Sequence, residues 1–203
     1  MKKIICFGDS NTYGYNPISG TRYNENIRWT GLLKNFLNDD WDLIEEGCNN
    51  RTGIFENECG LIQTGSKYLP ICLSKHSDIN TIIIGLGAND LQKFYDHTEA
   101  NIEKGIFGLI NCIREFDNDI RIILMAPAKL SNEILTGVFS FQFDEDSIKQ
   151  SREMSKIYKR VAEQENCELI CLDDIVKVSK IDGLHFDINS HKTIAEYISA
   201  YLK

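Results

Sequence analysis

The chain has 203 residues, of which 42% are hydrophobic and 26% charged, and 30 acidic against 22 basic residues give it a net charge of −8. This length predicts one domain, residues 1–203, with a sizeable core. The acidic balance argues against a nucleic-acid partner, because phosphate binding needs clustered Lys and Arg. The apolar run after Lys3 is too short for a signal peptide, and no stretch is long enough for a membrane span.

The cysteines predict a reducing environment. The chain has 7 of them, an odd number, and none forms a Cys-x-x-Cys pair. We interpret them as free thiols, which favours a cytoplasmic protein. Cys167 and Cys171 share one face of a predicted strand, but no second ligand pair has metal spacing, so we expect no metal site.

Strands and helices alternate along the chain. Apolar runs predict strands over residues 3–7, 41–46, 81–87, 120–125 and 168–172. Apolar side chains at helical spacing predict helices over residues 27–38, 67–75, 98–116 and 145–164, and a last helix capped by Asn189. Parallel crossover connections then predict a three-layer α/β/α sandwich with a five-stranded, flavodoxin-like parallel sheet.

Polar residues follow the predicted strands. Ser10 comes after the first strand, residues 47–51 after the second and Asn89 after the third, while Asp182 and His185 follow the fifth. The carboxyl ends of parallel strands share one edge of a sheet, where ligands bind in open α/β folds. We therefore expect these side chains to meet in one crevice.

Ser10 alone has three interpretations: a nucleophile, a phosphate ligand or a helix N-cap. The residues expected beside Ser10 favour a nucleophile, since acyl transfer needs an activated hydroxyl, an oriented base and donors for the oxyanion. His185 fits a general base, and Asp182, three residues earlier, fits the acid that orients it. The N–H groups of Ser10 and Asn50 and the side-chain amide of Asn89 fit an oxyanion hole.

Three motifs carry a family resemblance: Gly-Asp-Ser-Asn at residues 8–11, Gly-Ala-Asn-Asp at 87–90 and Asp-Gly-Leu-His at 182–185. In this order and spacing they resemble the SGNH (GDSL-type) hydrolases, and segments at 28–31, 45–52 and 68–76 are most similar to the arylesterase/acyltransferase branch.

The resemblance implies an SGNH hydrolase fold and an esterase that uses neither metal nor cofactor. It implies Ser10 as nucleophile, His185 as base and Asp182 as its partner, with oxyanion donors from Ser10, the second block and Asn89. Two positions depart from the family pattern, where leucine is replaced by Asn11 and a frequent glycine by Asn50. Asn tolerates a positive φ better than most residues, so Asn50 can still present its N–H.

Other residues receive weaker assignments. Asn11, Trp29 and Arg51 are candidate substrate-binding residues, although Trp29 also fits the core and Arg51 also fits an ion pair. Asp9 is expected to hold the turn through hydrogen bonds. The remaining histidines, His76, His97 and His191, lack an acid at useful spacing in a strand-end loop and receive no role.

The expected function is hydrolysis of small, acetyl-type esters through an acyl-serine intermediate, with acyl transfer to another acceptor as a variant. The expected partner is a small-molecule ester. Phe139, Phe141 and Phe143 alternate along one loop and favour a subunit contact, and hence a homo-oligomer, over a wall of the acyl site. The alternatives are a catalytically idle domain that binds a carbohydrate or acyl ligand, and a lysophospholipase or thioesterase specificity.

Overall fold

The computed structural model describes residues 1–202. Its strands are β1 (Lys2–Gly8), β2 (Trp41–Gly47), β3 (Ile79–Gly85), β4 (Arg121–Ala126) and β5 (Glu168–Cys171). Its α-helices are α1 (Ser10–Tyr13), α2 (Trp29–Leu37), α3 (Gly65–Ser74), α4 (Glu99–Phe116), α5 (Glu145–Ser151), α6 (Met154–Gln164) and α7 (Ile188–Leu202). Short 3₁₀ turns cover Asn38–Asp40, Asn89–Leu91, Asn132–Leu135 and Leu172–Asp174.

The sheet confirms the predicted flavodoxin-like order. All neighbouring strands are parallel, in the order β2-β1-β3-β4-β5. The order reverses direction between β1 and β3, which opens a crevice at their carboxyl ends. The Asp9 N–H donates to the carbonyl oxygen of Gly85 at 3.2 Å, which fixes the end of β1 against β3 at this point.

Alternate strand side chains fill two separate cores, because successive residues of a strand point to opposite faces. On one face, Phe7 and Ile84 pack in a core with α3, α4 and α6. On the other, Cys6 and Ile83 pack in a core with α2 and α7. All 7 cysteines are free thiols. No helix within residues 1–202 combines the length and apolar character that a membrane span requires.

Several predicted boundaries differ from the structure. The helix predicted over residues 145–164 is two helices, because the backbone tightens to i→i+3 hydrogen bonds at Arg152 and Glu153. The last helix begins one residue before Asn189, and the Asp187 carboxylate caps it by accepting the Ser190 N–H at 2.8 Å. The short helix α1 occupies part of a predicted loop.

The end of β2 makes room for α1. A Cβ atom on Gly47 would lie 2.2 Å from the backbone nitrogen of Tyr13, so the backbones of the two elements are in direct contact. Gly47 pairs with Gly8 across the sheet, which places this contact beside the turn that carries Ser10.

We predict that Gly47→Ala lowers the free energy of unfolding by about 1–3 kcal/mol, because the added methyl group must displace backbone. Urea unfolding followed by circular dichroism measures this. The matched control is Gly108→Ala in α4, where a Cβ atom meets nothing within 4 Å, and alanine should stabilise the helix by about 0.5–1 kcal/mol. A Gly47→Ala protein as stable as wild type would contradict the proposed close packing.

Candidate active site

Ser10 lies at the first position of α1, directly after the end of β1. The carboxylate of Asp9 caps the helix by accepting the Asn11 N–H at 2.9 Å, and Gly14 closes it in the left-handed conformation, with φ of 86°. Asp9, and not Ser10, is therefore the N-cap. This leaves the Ser10 hydroxyl free for other partners.

Ser10, His185 and Asp182 form a hydrogen-bonded row. The Ser10 Oγ is 2.8 Å from His185 Nε2, and His185 Nδ1 is 2.7 Å from Asp182 Oδ2. All three side chains are buried. The geometry is that of a serine activated by a histidine, which a carboxylate orients.

The Asp-x-x-His spacing has a local cause. The second carboxylate oxygen of Asp182 accepts the backbone N–H groups of Leu184 and His185, both at 3.0 Å, and Gly183 between them has φ of 73°. Burial raises the pKa of Asp182, but the hydrogen bonds from His185 and the backbone outweigh it, and the pKa lies below its usual value. Asp182 is thus an ionised partner for the imidazole.

Asn11 holds the serine turn against the histidine loop. Its Nδ2 donates to the Leu184 carbonyl oxygen at 3.2 Å, and its Oδ1 accepts the Phe186 N–H at 3.2 Å. Both ends of the amide are therefore bound to the backbone on either side of His185. The geometry makes Asn11 a positioning residue instead of the expected substrate contact.

Three candidate oxyanion donors belong to residues that line one cavity. Asn50, with φ of 60°, and Asn89 both line this cavity beside Ser10 and His185. The backbone N–H groups of Ser10 and Asn50 donate to no other group within residues 1–202. The Asn89 amide uses one N–H on the Arg51 carbonyl oxygen at 3.0 Å, which leaves its second N–H for a ligand.

Gln92 and Asp90 hold the donor residues and the loop after Asn50 in place. The sequence alone does not assign this role to either residue. Gln92 is buried, and its Nε2 donates to the side-chain oxygens of Asn50 at 2.9 Å and Asn89 at 3.3 Å. The buried Asp90 carboxylate accepts the N–H groups of Gly53, Ile54 and Phe55 at 2.6, 2.9 and 3.3 Å. In the sequence only their proximity to Asn89 points to this role, since Asp90 follows Asn89 by one residue and Gln92 by three.

Arg51 does not reach the cavity. Its guanidinium donates to the carbonyl oxygens of Ile62 at 2.8 Å, Gly8 at 3.0 Å and Glu46, and it lies 4.5 Å from the centre of the Phe7 ring. The side chain is 1% exposed. Within residues 1–202 Arg51 forms neither the expected contact with the cavity nor an ion pair, because backbone carbonyl oxygens accept its N–H groups. Arg51 instead joins the ends of β1 and β2 to the following loop.

Trp29 belongs to the core, one of the two positions that the sequence left open. It is 1% exposed, and its indole N–H donates to the Asn11 carbonyl oxygen at 3.0 Å. Its backbone N–H donates to His191 Nδ1 at 3.2 Å. Burial lowers the pKa of His191 to about 4, so this imidazole is a neutral acceptor at the start of α2.

Two aromatic side chains cover the imidazole. The ring of Tyr15 lies 4.2 Å from that of His185, and Phe139 lies 5.2 Å away on a different element. Both line a cavity of about 210 Å³ with Ser10. The predicted aromatic stripe does not exist as one face, because Phe143 is buried in the core whereas Phe141 is 62% exposed.

Asp9 is buried beneath the serine turn. Burial and, to a smaller extent, the charge of Asp90 raise its pKa to about 7, against the opposing hydrogen bond from Asn11. An acid with a raised folded-state pKa binds its proton more tightly in the folded protein. Its contribution to stability therefore falls as the pH rises from the unfolded value near 3.8 to about 7, and stays low above it.

We predict that Asp9→Asn becomes more stable relative to wild type as the pH rises through this window. The asparagine oxygen can still accept the Asn11 N–H, but the variant has no charge to bury. Urea unfolding of both proteins between pH 4 and about 8 gives the difference in free energy, which should grow by a few kcal/mol and level off above about pH 7. A difference that is constant with pH would contradict the raised pKa.

Known proteins resemble this chain over nearly its whole length. The model of the GDSL-like lipase/acylhydrolase family matches residues 6–190. One protein of known crystal structure is 36% identical, with a TM-score of 0.93 over 100% of this chain and 97% of its own. No curated protein sequence gives a match.

Two further solved structures that resemble this chain are an acetylesterase and an aryl esterase. Est24, a carbohydrate acetylesterase from Sinorhizobium meliloti, is 27% identical, with a TM-score of 0.93 over 100% of this chain and 98% of its own. The native aryl esterase of M. smegmatis is 25% identical, with a TM-score of 0.91 over the same shares. The fold and the family expected from the sequence are thereby confirmed: the chain belongs to the GDSL-like lipase/acylhydrolase family of hydrolases.

Proposed function

We propose that the protein is a serine esterase that hydrolyses small, acetyl-type esters through an acyl-Ser10 intermediate. The observation that carries the proposal is the row from Ser10 to His185 to Asp182, which opens on the cavity that Asn50 and Asn89 also line. A nucleophile, its base and the oxyanion donors thus face one volume, as acyl transfer requires.

In the first step the Ser10 hydroxyl attacks the ester carbonyl carbon. His185 Nε2, 2.8 Å from the Oγ, takes the hydroxyl proton. The imidazole becomes positively charged, and the ionised Asp182, hydrogen-bonded to Nδ1, stabilises this charge. Collapse of the tetrahedral intermediate releases the alcohol, which receives the proton from Nε2.

The negative charge that develops on the carbonyl oxygen is stabilised by three donors from residues that line the cavity. The N–H groups of Ser10 and Asn50 come from the backbone, and the third donor is the side-chain amide of Asn89. Gln92 holds the side chains of Asn50 and Asn89 through their oxygens, so the donors need little reorganisation during the reaction. Preorganised donors of this kind are worth about 10²–10³ in kcat for each one removed.

In the second step water attacks the acyl-serine, with His185 as the base again. An alcohol in the same place would give acyl transfer instead of hydrolysis, through the same proton movements. The cavity of about 210 Å³ is small beside the range of about 300–1,000 Å³ for drug-sized ligands. Tyr15 and Phe139 close it over His185, which supports a short acyl group.

We predict that Ser10→Ala lowers kcat/KM for a chromogenic acetate ester by about 10³-fold or more, since loss of the nucleophile disables the whole row. Initial rates of nitrophenyl acetate hydrolysis measure it. The matched control is Ser66→Ala, at an exposed serine of α3, which should keep wild-type activity. Near-full activity of a folded Ser10→Ala protein would contradict the mechanism and revive the idle binding domain.

We also predict that activity falls at least about tenfold from acetyl to octanoyl esters with the same leaving group, because the aromatic wall limits the acyl chain. Phe139→Ala should reduce this preference, because loss of the aromatic ring enlarges the cavity and makes room for a longer acyl chain. Phe141→Ala, two residues away and 62% exposed, is the control and should keep it. A wild-type preference for octanoyl esters would instead support a lysophospholipase or thioesterase specificity.

A further inference from the structure

Glu46, Cys72 and His76 form a cluster outside the cavity that contains Ser10. One ligand atom from each side chain, a carboxylate oxygen, the sulfur and a ring nitrogen, lies within 4.8 Å of the other two. Glu46 is in β2, Cys72 is in the last turn of α3, and His76 follows that helix by two residues. The end of β2, the last turn of α3 and the residues after that helix thus bring three different metal-binding groups together.

The sheet register explains why Glu46 faces α3. Glu46 pairs with Phe7, whose side chain lies in the core that α3 covers. Its neighbour Glu45 points to the other face, where it forms ion pairs with Arg22 and Arg28. Glu46 forms no ion pair with Lys or Arg within residues 1–202.

The His76 side chain has an unsatisfied ring nitrogen. His76 Nε2 is enclosed by protein and has no hydrogen-bond partner within residues 1–202. An enclosed polar atom without a partner is unusual, because buried polar groups almost always form hydrogen bonds. Cys72 is completely buried. The cluster therefore holds an unsatisfied nitrogen and a thiol that solvent does not reach.

We propose that Glu46, Cys72 and His76 bind a divalent transition-metal ion of the zinc type. Zn²⁺ takes Cys sulfur at about 2.3 Å, His nitrogen at about 2.0–2.1 Å and carboxylate oxygen at about 2.0–2.2 Å. These bond lengths place tetrahedral ligand atoms about 3.3–3.8 Å apart, so the donors need to close by about 1 Å. A water molecule would complete the tetrahedron.

The charges around the cluster suit such an ion. Binding turns the Cys72 thiol into a thiolate and releases its proton to solvent. With the Glu46 carboxylate, the site then offers two negative charges to Zn²⁺. The two nearby cations have other acceptors, since Arg51 donates to backbone carbonyls and the Lys75 ammonium lies 3.1 Å from the Tyr68 hydroxyl.

The position of the site suggests a structural ion. Glu46 directly precedes Gly47 and the turn that leads to Asn50, and its own carbonyl oxygen accepts from Arg51. A metal ion would bind this end of β2 to the end of α3. The sequence assigns no role to His76, because Glu46 is 30 residues away on β2 and only Cys72 lies nearby, four residues earlier.

The test is titration of the metal-free protein with Zn²⁺ by calorimetry, and with Co²⁺ by absorption spectroscopy. We expect one Zn²⁺ per chain, and a sulfur-to-cobalt charge-transfer band in the near ultraviolet. Cys72→Ala should abolish the band, and His76→Gln should weaken Zn²⁺ binding by at least about a hundredfold, since even residues behind the ligands are worth about 10–100-fold.

The controls are Cys112→Ala and His97→Gln, a thiol and an imidazole outside the cluster, which should bind Zn²⁺ like wild type. Circular dichroism shows whether each variant is folded. His76 is only half-buried, so His76→Gln keeps the test valid if Cys72→Ala fails to fold. Absence of stoichiometric Zn²⁺ binding to wild type, or equal binding to folded His76→Gln, would overturn the proposal.

Discussion

The close contact of three strand ends with α1 is the constraint on which the site depends. Gly8, Gly47 and Gly85 stand at the carboxyl ends of β1, β2 and β3, and a side chain on Gly8 or Gly47 would collide with α1. The helix can therefore start immediately after the sheet, with Ser10 at its first position. This places the hydroxyl at the switch point of the sheet, where loops from several strands converge. Every other part of the site is arranged around this fixed point.

Buried carboxylates connect the loops to that point, and each is satisfied in a different way. Asp9 caps α1, and its pKa is raised to about 7 because burial outweighs the hydrogen bond from Asn11. Asp90 accepts three backbone N–H groups of the loop after Asn50. Asp182 accepts two N–H groups of its own loop and the His185 ring, which lower its pKa. Burial leaves the pKa of Asp90 raised as well, so Asp182 is the one of these three carboxylates that its contacts hold ionised. It is also the one that adjoins the imidazole of the proposed base.

Much of this arrangement could be predicted from the sequence. Periodicity gave the alternation of strands and helices, and the strand-end rule predicted that Ser10, Asn89 and His185 would lie together. Local hydrogen bonding was less visible: the cap is Asp187 and not Asn189, since a cap depends on backbone geometry. Residue type alone does not separate a substrate contact from a buried position, so the sequence leaves Trp29 open between pocket and core and Arg51 open between pocket and ion pair, whereas the structure buries both. The sequence does not point to Gln92, because its hydrogen bonds to Asn50 and Asn89 arise only when the fold brings these side chains together.

The proposed mechanism requires Ser10 to carry the acyl group between the two steps. The most direct measurement is acid quenching of the enzyme during turnover of a reactive acetate ester, followed by mass spectrometry of the protein and its peptides. We expect one acetyl group per chain, on the peptide that contains Ser10 and on the serine itself. An active enzyme that carries no acetyl group under conditions of rapid acylation, or carries it reproducibly on another residue, would contradict an acyl-Ser10 intermediate.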